Sequence, residues 1–177
     1  IKYMFPKAHA VAYVTMALRI AWFKVHYPQA YYAAYFTVRG DGFDAATMLV
    51  DPDTCRAKIK EIKNMDNASA KDKESQTALE LVLEMNMRGI HFLPVDLYKS
   101  DVRKFLIEDG NLRCPFTSLG GLGESAALTI AAAREQARFL SVEDLKERGK
   151  VGTGVIDLLR AHGTLEGLSE TSQISMF

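Results

Sequence analysis

The sequence predicts a mainly α-helical chain with a small β-hairpin or sheet, an α+β fold, and three observations carry that expectation. Residues 8–24 run without Gly or Pro behind Pro6, Leu119-Gly120-Gly121-Leu122-Gly123 opens straight into an Ala-rich stretch, and short apolar runs between these blocks surround an Asp109-Gly110 pair. Uninterrupted apolar stretches of that length read as helix, whereas short runs joined by Asp-Gly read as strands of a hairpin. With 177 residues, 48% of them hydrophobic, the chain can bury a core, in one domain or two small packed units.

Taken in order, Pro6 starts the first helix and Pro28 breaks its pattern. Thr15, Arg19 and His26 fall on one stripe of this otherwise apolar helix, so Arg19 points at a ligand or a structural ion-pair partner, and near the helix start Lys7 and His9 can meet phosphate oxygens, or His9 is a capping or core histidine. Asp44 caps a short turn, and Asp51-Pro52-Asp53 introduces a helix through about Lys63. Ser69 caps another that reaches Arg88 and stops at Gly89. Asp51 and Asp53 are spaced as a two-metal pair can be, but the intervening proline makes helix capping the better reading. Residues 90–97, 105–107 and 112–114 read as short strands, the last two joined around Asp109-Gly110.

The first glycine turn is the most informative feature. Glycines at a helix N-terminus leave backbone N–H groups unobstructed, and a nucleic-acid phosphate can accept from several at once. A dinucleotide fingerprint is excluded by the missing third glycine, and a phosphate-binding P-loop by the missing Gly-Lys-Ser/Thr. Ser141 then caps a short helix with Asp144 as its reciprocal partner. A second turn, Gly149-Lys150-Val151-Gly152-Thr153-Gly154, feeds a helix that Gly163 ends. Two such turns within 115–168 read as a duplicated helix-hairpin-helix unit that holds duplex phosphates and reads no base edges. The candidate DNA contacts are Gly121, Leu122, Gly123, Ser125, Lys150, Gly152, Thr153 and Gly154. Residues 115–168 hold six Lys/Arg against seven Asp/Glu, so affinity there comes mainly from oriented amides, with help from Lys150; Arg134 and Arg138 either add to it or, as the first reading, form a solvated helix face.

Charge and cysteine usage bound the rest. Net charge is zero, yet residues 1–40 contain no Asp or Glu and hold ten of the 17 aromatic side chains, leaving 17 Lys/Arg against all 22 Asp/Glu elsewhere, a net −5. A basic, aromatic block can serve phosphates with its cations and bases with its rings, or it is core cut away from its neighbours in a longer parent, Tyr31-Tyr32 and Tyr35-Phe36 above all. Cys55 and Cys114 lie far apart with no Cys/His cluster, which points to buried or free thiols in a reducing compartment and to no metal site. The longest apolar stretch, 10–23, carries Arg19 and is too short to span a bilayer. The chain begins with Ile and enters at once into a dense motif, which reads as part of something larger.

Phe5-Pro6-Lys7-Ala8-His9-Ala10, Tyr13, and Ala21-Trp22-Phe23-Lys24-Val25-His26-Tyr27-Pro28 resemble the fingers signature of bacterial DNA polymerase III alpha subunits. From Val95-Asp96-Leu97-Tyr98 onward the sequence is similar to the carboxyl terminus of the PolC-type enzymes of low-GC Gram-positive bacteria. The resemblance implies the carboxyl-terminal part of fingers over 1–89, a small sheet with a tandem helix-hairpin-helix duplex-binding domain over 90–168, and a flexible tail over 169–177. It also implies a cytoplasmic replisome component, whose Mg²⁺-binding palm aspartates have no counterpart here, so that this stretch binds no cofactor and does not polymerise alone. Phe5, Lys7, His9 and Arg19 are the implied neighbours of the incoming deoxynucleoside triphosphate and template.

In the tail, Gln173-Ile174-Ser175-Met176-Phe177 resembles the family's sliding-clamp pentapeptide, Gln-x-x-Leu-Phe, with Met176 at the Leu position. A glutamine amide and two apolar anchors suit a hydrophobic pocket, and Met for Leu nearly conserves volume. Ser169-Glu170-Thr171-Ser172 reads as a polar, mobile linker to it. The alternative is a non-catalytic repair scaffold that reuses the same DNA-binding and clamp-binding elements. The acid-free helix at 1–40, for which a scaffold has no need, favours the polymerase.

Overall fold

In the computed structural model, which describes residues 6–171, the expected α+β architecture forms, predominantly helical with one three-stranded sheet. Phe5 and the pentapeptide 173–177 lie outside the described residues.

Helix α1 spans Lys7–His26 with Pro6 at its N-cap. Pro28 does more than end it: proline's missing N–H and fixed φ suit a first helical position, so Pro28 starts α2, Pro28–Arg39, where the sequence had shown only a break. None of the α1 residues is buried; Tyr13 is 73% exposed and Trp22 50%. In contrast, Tyr32 and Phe36 on α2 are buried in this chain's own core, so the aromatic block divides. Tyr32 and Phe36 need no absent neighbour, and the exposed rings among the described residues of the block are Tyr13, Trp22, Phe23 and Tyr27. The C-terminal end of α1 is tied to the body by charge. Lys24 Nζ donates to Glu84 Oε2 at 2.7 Å, Tyr32 Oη donates to Glu84 Oε1 at 2.9 Å, and Arg88 Nη2 donates to the Lys24 carbonyl at 3.0 Å. Partial burial works to raise the Glu84 carboxyl, but the bonds from Lys24 and Tyr32 outweigh it and hold the group below its ordinary value.

Helices α3 (Ala45–Met48), α4 (Pro52–Lys63) and α5 (Ala70–Met87) each begin at the cap that the sequence marks. Asp44 accepts from Ala46 N, Asp51 from Asp53 and Thr54 N, and Ser69 and Asp72 form a reciprocal capping box. The run at 90–97 yields only a two-residue strand, β1 (Phe92–Leu93). Pro94 lacks a ladder donor, and Asp96 Oδ1 turns the chain by accepting from Tyr98 N and Lys99 N. Strands β2 (Leu106–Glu108) and β3 (Asn111–Arg113) pair antiparallel around Asp109 and Gly110, both at positive φ, and β1 joins β3 in parallel to give the order β1-β3-β2. Arg113, a buried residue of β3, donates to both Glu108 oxygens at 2.8 and 2.9 Å; with Lys99 it holds that carboxyl down to about 2.

Phe36, Phe43, Phe92 and Phe105 interlock with ring centroids 4.7–5.7 Å apart, joining α2 and the sheet in one continuous core. Both cysteines are buried free thiols, and burial pushes Cys114 up to about 12. Helices α6 (Glu124–Gln136), α7 (Val142–Arg148) and α8 (Thr153–Ala161) complete the fold. As read from sequence, Ser141 caps α7 by accepting from Asp144 N, while Asp144 Oδ2 accepts from Leu140 N. The start of the supposed linker is held, not free: Val142 N and Glu143 N donate to the Ser169 and Glu170 carbonyls, and Arg160 pairs with Glu170 at 2.9 Å. An unsatisfied helix terminus supplies the reason, because the first amides of α7 need acceptors.

Candidate nucleic-acid interface

The two glycine turns share a backbone plan. In each, a residue at positive φ (Gly121, +96°; Lys150, +50°) precedes a buried apolar residue (Leu122; Val151) and then a glycine N-cap (Gly123; Gly152). The buried side chain anchors the turn, so Leu122 can offer a ligand only its backbone. Neither N-cap supplies a side-chain acceptor to its helix. Accordingly, the N–H groups of Ser125 and Ala126 on α6, and of Thr153 and Gly154 on α8, have no acceptor among the described residues. Gly121, Gly123, Ser125, Lys150, Gly152, Thr153 and Gly154 are all exposed. Together they present two patches of outward-facing amides at positive helix ends, an arrangement that can bind phosphate.

The turns differ in what leads into them. Helix α7 precedes the second turn and ends when Val151 N reaches back to the Lys146 carbonyl, while only a single 3₁₀ turn, Phe116–Ser118, precedes the first. The duplicated unit is therefore unequal. Gly149 is required by packing: a Cβ there would sit 2.6 Å from the Leu145 carbonyl oxygen. Charge differs as well. Glu124 stands in the first turn of α6, 3.4 Å from Arg103 Nη1, whereas α8 has no acid in its first turn and Lys146 Nζ lies 3.3 Å from Thr153 Oγ1.

Arg134 does not serve as a solvated cation. Its Nη1 donates to the Leu97 and Ser100 carbonyls at 3.1 and 2.7 Å, closing the loop against α6. Arg138 lies over the Tyr98 ring at 4.5 Å. Lys7, His9 and Arg19 are exposed along α1; about 18 Å of helix axis separates Lys7 from Arg19, so these two do not share one small ligand group. Asp51 is committed to capping α4. Among the described residues, no group of three or more His, Cys, Asp or Glu is placed to hold a metal ion. Nor is any helix long and apolar enough to cross a membrane. Sequence reasoning missed Arg103 and Lys146, whose signal is only their spatial nearness to the turns.

A family model described as a helix-hairpin-helix motif matches residues 89–174, covering both turns. Over its full length the chain also aligns with proteins named DNA polymerase III PolC-type. Throughout, it is similar in sequence to these PolC-type proteins. It is 52% identical over 177 residues to the protein of Thermotoga petrophila, 55% over 179 residues to that of Halalkalibacterium halodurans, and 53% over 179 residues to that of Bacillus subtilis. Each alignment covers all of this chain and 12–13% of the relative, so the chain spans about an eighth of these PolC-type proteins.

Proposed function

We propose that this chain is the DNA-holding part of a replicative DNA polymerase, with two further contacts: fingers residues near the incoming nucleotide and a tail that tethers it to a sliding clamp. The observation that carries the reading is the pair of uncapped helix N-termini at Gly123 and Gly152, whose free amides face outward from rigid turns. Duplex phosphates accept from these amides without regard to base sequence, and the helix dipoles add attraction. The PolC-type match, running through residues 1–40 as well as the turns, supports a polymerase over a repair scaffold. The test is binding to a short primer-template duplex across a salt series, beside Gly121→Val/Gly123→Val. Salt-dependent binding that disappears in the still-folded variant supports the reading; equal binding by both refutes it.

Lys7 and His9, with Phe5, are the nucleotide-side contacts of this proposal, and Arg19 lies farther along the same helix. Lys7→Ala in a parent polymerase raises the apparent KM for nucleotide, and an unchanged value removes Lys7 from the site. Among the described residues no carboxylate cluster suits a two-metal centre; in this reading Mg²⁺ belongs to other parts of a parent polymerase and this stretch does not polymerise alone. Removing residues 173–177 abolishes clamp binding and spares duplex binding; clamp binding that survives the truncation overturns that assignment.

A further inference from the structure

Beside the first glycine turn lies a cavity of about 640 Å³, lined by the end of α2, α3, the start of α5, the loop before β2, the 3₁₀ turn at Phe116–Ser118 and the start of α6. Lys71, Ser75, Arg103, Thr117, Gly120 and Glu124 are among its lining residues. Lys71 and Arg103 line it from segments 32 positions apart in sequence. The Lys71 ammonium and the hydroxyls of Ser75 and Thr117 have no hydrogen-bond partner among the described residues. The cavity also contains two acids. Asp44 caps α3, accepting from Ala46 N at 3.1 Å and Thr47 Oγ1 at 3.4 Å, and its carboxylate lies beside Gly120, so an anion binds away from that corner of the cavity. Glu124 meets Arg103 in a mostly exposed pair, 49% and 69% accessible, which solvent screens heavily.

We propose that this cavity is a second phosphate site, which holds a phosphodiester of the same DNA strand that the Gly121–Gly123 turn grips. The inference rests on the duplex-binding reading and extends it to residues outside both hairpins. Its chemistry is that of an anion with several acceptor oxygens. Lys71 supplies a point charge, Arg103 a planar fork that leaves Glu124 for the stronger bidentate partner, and Ser75 and Thr117 supply hydroxyl donors. A phosphodiester of a bound strand is favoured over a free anion because Gly120 belongs both to the cavity wall and to the glycine turn, so a chain leaving the turn passes directly into it.

The experiment measures the salt slope of DNA binding for this chain and its Lys71→Ala, Arg103→Ala and Glu124→Gln variants. Lys73→Ala, an exposed neighbour that does not line the cavity, is the control. Each cavity cation removed lowers the slope by about 0.9, as expected for one lost phosphate contact, while Lys73→Ala leaves it unchanged. Glu124→Gln raises affinity at low salt by about threefold, because an acid beside the phosphate is gone. A blunt duplex and a single strand of equal length form the two arms: slope changes on the duplex assign the site to the paired region, and changes confined to the single strand assign it to an overhang. Unchanged slopes for both Lys71→Ala and Arg103→Ala overturn the proposal, as does an equal loss in Lys73→Ala. If Gly121→Val/Gly123→Val abolishes binding while the cavity variants do not alter the slope, the cavity alone is refuted. Absence of binding by the folded wild-type chain refutes the cavity and the duplex-binding reading together.

Discussion

The turn at 119–123 and the turn at 149–152 both place a buried apolar residue before a glycine N-cap, yet glycine occupies the positive-φ position in the first and lysine in the second. The first follows one 3₁₀ turn and carries Glu124 on its rim; the second follows the seven-residue α7 and carries Lys146 and Lys150. The backbone plan is thus set by the anchor and the cap, and the residue at positive φ is free to vary where the preceding helix locks the turn. Lys150 accepts a left-handed conformation because the α7 terminus closes around it, with Gly149 N bonded to the Leu145 carbonyl and Val151 N to the Lys146 carbonyl. It gains an exposed ammonium beside the amides that a glycine lacks.

The largest effect that breaks this comparison is Gly149→Ala. The new methyl meets a backbone oxygen that no rotamer can move, so thermal or denaturant unfolding shows a loss of about 3 kcal/mol; a loss below about 1 kcal/mol would mean that the second turn is not locked as described. Gly121→Ala, strained by its φ of +96° but otherwise in open contact, loses about 1–2 kcal/mol in the same assay. Thr153→Glu gives the second turn the acid that the first already has. Duplex affinity at low salt falls about fivefold while helix stability holds or rises slightly, and unchanged affinity would show that the second turn does not face phosphate. Gly154→Ala, in open space within the first turn of α8, stabilises the fold by about 0.5–1 kcal/mol yet weakens duplex binding where the backbone must approach closely. Lys150→Gly has the smallest effect on folding, about 0.5 kcal/mol of added stability as relieved strain outruns the entropy cost, and its salt slope falls by about one contact.

What the sequence made legible follows from interaction range. The caps at Asp44, Asp51, Ser69 and Ser141 and the Asp109-Gly110 hairpin are decided within three or four residues and form as read, except that Asp144 bonds Leu140 N where the sequence points to a reciprocal box with Ser141. Helix α2 was hidden because Pro28 carries the same signal at a helix stop and at a first helical position. The long strand at 90–97 failed where Pro94 and the Asp96 turn outweighed a run of apolar residues. Arg134 was misread because the carbonyls that hold it belong to Leu97 and Ser100, 37 and 34 positions away. The glycine turns were readable as local chemistry; the Lys71–Arg103 cavity beside them exists only once the phenylalanine core has folded two distant segments together.

The Glu84 junction has a mechanical consequence for α1. A helix of 20 residues is about 30 Å long, and this one is tied to α5 near its C-terminal end through Lys24 while Lys7 sits at the opposite end. It is therefore a lever with its fulcrum near one tip: the arm from Lys24 to Lys7 is about 25 Å, and a tilt of about 10° carries Lys7 through about 4 Å, more than the length of a hydrogen bond. Two bonds at one tip, Lys24 to Glu84 and Arg88 to the Lys24 carbonyl, thus set the aim of the helix's leading end.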